Sequence, residues 1–447
     1  FAAAVTTLTQ RAAAASMRGR GALSWGAVVG VGLLFAGSWG LAEIARGYLF
    51  TGFPWLAIGY AHVDGPLAAF APLVGAYGVS ALAALSAFGV GCALATMRRA
   101  ASYDVPGDSR ATPEGGVGAT ATTVAIAAAV AIAPLAAGWA ARGLEWTQPA
   151  GRALNVRLLQ GNVPQEMKFD PARTLAAMQD YVAEVLRAEA DLTVLPETAW
   201  TLPWSATPAP LRDALRAHLA RNDGMAAIGM PLPQQDAPRN ATPARLTNSV
   251  AVIDRQGAIV SRYDKRHLVP FGEFIPRGFG WFVAMMDIPL GEFGRGAREQ
   301  PPLSIGGQRV AFDICYEDLF GEELALQVRG GATILVNVSN IAWFGDSHAL
   351  AQHLQIARMR AIELARPMLR ATNTGVTAAI DPGGRVVGAL PTYSASALAL
   401  SIQGTEGLTP YARWGNALPV ALCLALALAG ALGTLATRRS ARSNPLE

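Results

Sequence analysis

Cys315 ends the apolar run Val310–Ile314, Lys265 lies just beyond the run Ile259–Tyr263, and Glu197 follows Leu192-Thr193-Val194-Leu195-Pro196. A thiol, an ammonium and a carboxylate form a chemically coherent set. The thiol attacks, the ammonium stabilises its thiolate and a tetrahedral oxyanion, and the carboxylate moves protons. The pattern around Cys315 predicts a strand-to-helix corner, with Tyr316–Leu326 continuing as a helix whose partial positive N-terminus favours a thiolate. Glu317 and Asp318 in that first turn oppose one, so a nearby cation is required, and Lys265 is the expected source. Taken singly, each residue has another reading: Glu197 as a loop carboxylate, Lys265 as a surface charge, Cys315 as a small core residue. His267 offers a second base, for a Cys–His pair. Spacing alone leaves these open.

The elements that must position the three are short strands alternating with helices. Strands are expected at Leu154–Gln160, Leu192–Leu195, Met225–Gly229, Ser249–Ile253, Ile259–Tyr263, Val310–Ile314, Thr333–Val338 and Val376–Ile380. Asp170-Pro171 opens a helix running to about Ala188, with an N-cap and a proline at the first helical position. Further helices are expected near Leu211–Ala220 and Ser347–Ala365. Asp254-Arg255-Gln256-Gly257 is a hairpin turn signal. The pattern argues one α/β sandwich domain of about 260 residues, with its reactive groups gathered at strand ends.

The rest of the chain is of another kind. Of 447 residues, 52% are hydrophobic and 15% charged, too apolar for an ordinary soluble protein. The net charge of +4 does not point to nucleic acid. Ala22–Ala42, a segment within Pro66–Met97 (about 73–96), Ala119–Ala141 and Trp414–Thr437 are each long and uncharged enough to cross a bilayer. Arg18 and Arg20, Arg98 and Arg99, and Arg438, Arg439 and Arg442 fall on one side if the spans alternate, which puts Gly151–Tyr411 on the non-cytoplasmic side. Gly47–Gly65 reads as an interfacial aromatic belt or a substrate-contacting loop, and Ala101–Gly118 as a flexible cytoplasmic loop. Of the three cysteines, Cys92 and Cys423 fall in spans, so Cys315 is the one thiol of the soluble part. With five histidines lacking ligand spacing, no metal or other cofactor is expected.

Leu195-Pro196-Glu197-Thr198, Asp264-Lys265-Arg266-His267-Leu268-Val269-Pro270-Phe271-Gly272-Glu273 and Ile314-Cys315-Tyr316-Glu317 resemble the three signatures of the nitrilase (carbon–nitrogen hydrolase) superfamily. More narrowly, they resemble the apolipoprotein N-acyltransferase family. The likeness continues through Leu159–Gln165, Asn337–Gly345, Gln352–Ala361, Gly407–Tyr411 and, earlier, Arg46–Trp55. It implies a nitrilase-like α-β-β-α sandwich (151–411) inserted between transmembrane α-helices (1–150 and 412–447). Family members carry further helices before this point, so with Phe1 as the first residue the earliest are expected to be missing. The resemblance assigns catalysis to Glu197, Lys265 and Cys315, with Glu273 orienting Lys265 or assisting proton transfer and Glu317 shaping the site. A structural ion pair is the alternative for both of the last two. It implies a phospholipid acyl donor, a diacylglyceryl apolipoprotein acceptor, a Cys thioester intermediate with ping-pong kinetics, and a monomer in the bacterial inner membrane. A membrane-tethered amidase with water as acceptor, or a lipid-binding scaffold without chemistry, are the competing readings. Phe274–Arg298, rich in Gly, Phe, Met and Trp, is a lid candidate.

Overall fold

The structure, a computed structural model, describes residues 25–103, 116–164, 171–235, 245–275 and 293–443. Its α-helices longer than two turns are, in chain order, α1 (Trp25–Tyr48), α2 (Ala71–Tyr103), α3 (Gly116–Ala141), α4 (Pro171–Leu186), α5 (Ala209–Asn222), α6 (Gly321–Arg329), α7 (His348–Leu364) and α8 (Ala417–Ser443). The strands are β1 (Gln148–Gln160), β2 (Leu192–Val194), β3 (Met225–Pro233), β4 (Leu246–Ile253), β5 (Ile259–Asp264), β6 (Leu303–Ile305), β7 (Gln308–Ile314), β8 (Ile334–Ser339), β9 (Met368–Thr372), β10 (Ala378–Ile380), β11 (Val386–Ala389) and β12 (Ser396–Glu406). The chain divides into two compact units, Phe1–Leu144 with Trp414–Glu447, and Glu145–Arg413.

The first unit is helical. Four stretches, Gly26–Thr51, Pro66–Arg98, Thr120–Ala141 and Ala417–Thr437, are long and apolar enough to cross a membrane. At about 1.5 Å per residue each reaches the roughly 30 Å of a hydrocarbon core. Because lipid tails are as apolar as the helices, packing here depends on close backbone approach through small residues. A Cβ on Gly37 of α1 would lie 2.4 Å from the Cys423 carbonyl of α8, and one on Gly430 of α8 would lie 2.3 Å from the Leu34 amide. Of the expected basic flanks, Arg18 and Arg20 lie outside the described residues, as do 104–115 of the loop between α2 and α3.

The second unit is a sandwich of two six-stranded sheets, in the orders β12-β1-β2-β3-β4-β5 and β11-β10-β9-β8-β7-β6. The parallel centres are β1-β2-β3 in one sheet and β7-β8-β9 in the other. Alternation along each strand makes the layers. Leu154, Val156, Leu158, Val250 and Val252 meet Val310, Phe312, Ile314, Val336 and Val338 in the core between the sheets. Leu159, Ile228 and Ala251 point the other way, onto Met178 and Tyr181 of α4 and Leu215 and Leu219 of α5. Ala311 and Leu335 likewise meet Leu324 of α6 and Ala357 and Ala361 of α7. Strands buried on both faces read as near-continuous apolar runs, which is why they were visible in sequence. The result is the α-β-β-α layering expected of a nitrilase-like fold.

Several elements differ from expectation. β1 begins at Gln148, because its polar start pairs with Gly404–Glu406 at the end of β12. β9 carries Arg370 at its middle and β12 is an edge strand with exposed positions interspersed along it, so neither shows an apolar run. The helix expected over Tyr316–Leu326 is broken. Cys315–Leu319 forms a single 3-10 turn, and Phe320 (φ −106°, ψ 78°) separates it from α6. The hairpin forms as expected, with Gly257 at φ 77° and the Asp254 carboxylate accepting from the Gln256 and Ala258 amides. Helix α7 begins after Ser347, whose Oγ accepts from the Ala349 amide. Asp170, the expected cap of α4, lies outside the described residues.

Candidate active site

The site lies beyond the carboxyl ends of the parallel strands, where α/β folds place reactive groups. After β2, the Leu195 amide still bonds the Ala227 carbonyl (2.8 Å), and then Pro196 turns the chain out and presents Glu197. Thr198 closes that turn at φ 48°. The turn presses on β3 at Gly229, where any Cβ would come within 2.3 Å of the Pro196 carbonyl oxygen. Lys265 follows β5, its amide bonded to the Asn248 carbonyl (2.8 Å), and its side chain is 1% exposed. Cys315 follows β7 at φ 55°, a left-handed conformation that a side chain adopts only under the constraint of its surroundings.

Lys265 Nζ lies 3.2 Å from Glu197 Oε1 and 3.0 Å from Glu273 Oε1. Asn248 Nδ2 donates to the same two oxygens at 2.8 Å and 2.9 Å. The outer oxygens are held by backbone: Glu197 Oε2 accepts from the Asn340 amide (2.8 Å) and Glu273 Oε2 from the Val269 amide (2.9 Å). Burial works against the Lys265 ammonium, but Glu197 and Glu273, with a further contribution from Cys315, outweigh it and hold its pKa above the ordinary lysine value. Lys265 is thus a fixed cation.

The Cys315 thiol is pushed up to about 12, first by burial and then by the charge of Glu197, against the opposing pull of Lys265 and the Ser339 hydroxyl. This corrects the expectation of a helix-stabilised thiolate: one 3-10 turn supplies little dipole, and the adjacent carboxylate outweighs the lysine. The two acids beside Cys315 are also accounted for separately. Glu317 accepts four hydrogen bonds, from the Arg266 (2.7 Å), His267 (2.9 Å) and Ile314 (2.8 Å) amides and the Tyr263 hydroxyl (3.0 Å). It ties the Lys265 loop to the nucleophile strand. Burial pushes it up to about 7, against the pull of those amides and of Lys265. Asp318 is paired with Arg370 (2.8 Å) and His353 (2.9 Å), so the cation that offsets it is Arg370 and not Lys265.

Sequence reasoning missed Asn248, Asn337, Asn340, His353 and Arg370. Asn337, Asn340 and His353 sit in the stretches Asn337–Gly345 and Gln352–Ala361 that carried the family likeness, and that was their one signal. His267 stacks on Phe320 with ring centroids 3.5 Å apart, and its Nδ1 lies 3.2 Å from Glu323 Oε1. These contacts hold it against Phe320 and Glu323. Among the described residues no group of three or more His, Cys, Asp or Glu side chains is placed to hold a metal ion. Of the lid candidate Phe274–Arg298, residues 276–292 lie outside the described residues.

Residues 155–408 match the Carbon-nitrogen hydrolase family, and residues 1–89 match the Apolipoprotein N-acyltransferase N-terminal domain. A Bordetella bronchiseptica apolipoprotein N-acyltransferase is 47% identical over 417 residues, spanning 89% of this chain and 72% of the relative. The chain belongs to the apolipoprotein N-acyltransferase family. A second member, from Ralstonia nicotianae, is 46% identical over 388 residues, 86% of this chain and 68% of its own length. Among solved structures, an amidase from Nesterenkonia sp. is similar with a TM-score of 0.42 at 19% identity, covering 61% of this chain and 96% of that one. In a family of acyltransferases, a half-buried thiol beside a fixed cation and a carboxylate is a set able to form and resolve an acyl-enzyme.

Proposed function

We propose that this protein transfers an acyl chain from a phospholipid to the N-terminal α-amine of the S-diacylglyceryl-cysteine of apolipoproteins, through a thioester on Cys315. The observation that supports this reading is the junction at Lys265, whose charge is shared between Glu197 and Glu273 and felt by Cys315, in a chain of this family. Burial and the charge of Glu197 hold the thiol above its ordinary pKa, so in this scheme its proton leaves during attack and not before it. Glu197 takes that proton as Sγ bonds to the ester carbonyl carbon. Lys265 Nζ, with backbone N–H groups near Cys315, holds the oxyanion. Collapse breaks the C–O bond, and Glu197 returns the proton to the departing lysophospholipid oxygen. In the second half the apolipoprotein amine attacks the thioester, Glu197 takes its proton, the C–S bond breaks, and Cys315 is reprotonated. The thioester is more reactive than the ester it came from, and the amide product is more stable than either. The kinetics are ping-pong. Glu273 and Glu317 touch no substrate in this scheme: one orients Lys265, the other joins the lysine loop to the nucleophile strand.

The setting is the bacterial inner membrane, with Glu145–Arg413 on the periplasmic side and the chain acting as a monomer. The four apolar helices and the basic residues that flank them support that orientation. The deciding experiment incubates purified enzyme with phospholipid alone and looks for a hydroxylamine-sensitive acyl adduct on Cys315. The expected result is a stable adduct discharged on adding apolipoprotein. No adduct rejects acyl transfer, and an adduct that decays without acceptor points to a hydrolase. Retained lipoprotein acylation by Cys315→Ala rejects the nucleophile.

A further inference from the structure

Beneath the nucleophile lies a second buried polar assembly that the mechanism above does not use. The carbonyl oxygen of Cys315 accepts from two side chains on different elements: Asn337 Nδ2 of β8 at 3.1 Å and His353 Nε2 of α7 at 3.3 Å. His353 Nε2 also lies 3.0 Å from Asp318 Oδ1. Arg370 of β9 donates to Asp318 Oδ2 at 2.8 Å and, through its other terminal nitrogen, to His353 Nδ1 at 2.9 Å. A guanidinium only donates, so Nδ1 must be the acceptor and Nε2 must carry the proton, which it shares between the Asp318 carboxylate and the Cys315 carbonyl. Burial lowers the pKa of His353, in keeping with a neutral ring. On the other flank Asn337 Nδ2 also donates to Asp313, so the amide is oriented from both sides. Asp318, His353 and Arg370 are each no more than 2% exposed.

A buried ion pair of this kind adds little net stability, because desolvation offsets the attraction. Its consequence is geometric. Cys315 holds φ 55°, which a non-glycine residue keeps only when its surroundings hold it there. The peptide that follows is planar and trans, so its carbonyl and its N–H point in opposite directions. Two donors drawing the Cys315 carbonyl toward β8 and α7 therefore turn the Tyr316 N–H to the opposite side and fix the Cα from which Sγ projects.

We propose that Asn337 and His353, the latter locked by Asp318 and Arg370, are positioning residues that clamp the Cys315 carbonyl and so aim both the thiol and the following backbone N–H for acyl transfer. The inference rests on Cys315 being the nucleophile. The test compares His353→Leu, His353→Gln and Asn337→Ser in the full-length enzyme in bilayers, with Cys315→Ala alongside. Three quantities are read: kcat and KM with phospholipid and apolipoprotein, the stoichiometry of the acyl adduct as a count of active sites, and the rate at which iodoacetamide alkylates Cys315. Misplacing a reacting atom by about 1 Å lowers a rate on the order of 100-fold. His353→Leu should therefore lower kcat per active site by about 10- to 100-fold, leave the phospholipid KM within about twofold, and slow alkylation in parallel. His353→Gln, which can present an N–H donor at similar reach, should recover most of the loss. A merely structural role would reduce the count of active sites and leave the rate of each unchanged, and that result overturns the proposal. Should His353→Leu fail to fold, Asn337→Ser removes the other donor while leaving the Asp318–His353–Arg370 group intact, with the same expectation and the same refutation. Cys315→Ala that still acylates lipoprotein rejects the nucleophile assignment itself, whereas an inactive Cys315→Ala beside fully active clamp variants rejects the clamp alone.

Discussion

Replacing Lys265 by methionine removes one charge, keeps most of the length, and leaves Glu197 and Glu273 facing each other. Both Oε1 atoms lie within hydrogen-bond distance of Asn248 Nδ2, at 2.8 Å and 2.9 Å, so they remain close once the cation is gone. Two unit charges about 5 Å apart repel by about 3 kcal/mol at an effective dielectric near 20. That corresponds to about two pH units of proton affinity for the pair. In the variant the pair should therefore hold a shared proton to higher pH than carboxylates of the unfolded chain do. The sign follows: the folded variant binds the proton more tightly, so this contribution to stability is complete in acid and lost as the pH rises and the pair releases its proton. Relative to wild type, the melting temperature of Lys265→Met should rise on acidification from about pH 7.5 to 5. Adding Glu273→Gln should abolish that dependence, since no second charge remains. Formation of the Cys315 acyl adduct should fall by about 10²- to 10³-fold, the usual loss when an oxyanion-stabilising group is removed. Differential scanning fluorimetry across pH and single-turnover acylation measure the two effects. A Lys265→Met enzyme whose melting tracks wild type at every pH, or which acylates at the wild-type rate, refutes the shared-cation arrangement.

Two further outcomes follow from the geometry. Alkylation of Cys315, followed by peptide mass, should rise about tenfold per pH unit between about pH 8 and 10 without levelling, because the thiol is raised by burial and by Glu197. A plateau below about pH 9 would contradict the raised thiol. Gly229→Ala should lower stability by about 1–3 kcal/mol and acylation by about 100-fold, because the new Cβ would meet Pro196 and the Glu197 backbone. Gly91→Ala, whose Cβ meets nothing within 4 Å, is the control, and equal behaviour of the two variants would remove Gly229 from the argument.

The likeness between reading and structure is uneven for identifiable reasons. Strands β2, β7 and β8 were legible because both their faces are buried, which writes a near-continuous apolar run into the chain. Strands β9 and β12 were not: Arg370 interrupts one, and the other is an edge whose outer face is wet. The break at Phe320 was invisible because nothing local forbids a helix over Tyr316–Leu326. There a buried Glu317 takes its hydrogen bonds from the Arg266 and His267 amides of a distant loop.

Hydropathy is a local property, and so is the type of residue that ends a strand. On that basis the amino-acid order alone determined the four apolar helices, the α/β character of the middle unit, and Glu197, Lys265 and Cys315 as the residues to watch. How charges pair is not local, and the tertiary structure alone decided it. Lys265 is shared between Glu197 and Glu273, while Asp318, which looked like a threat to the thiolate, belongs to Arg370 and His353. Partners separated by 68 positions in one case and 52 in another leave no periodic trace in the chain. Their meeting is set by which strand ends the two sheets bring together.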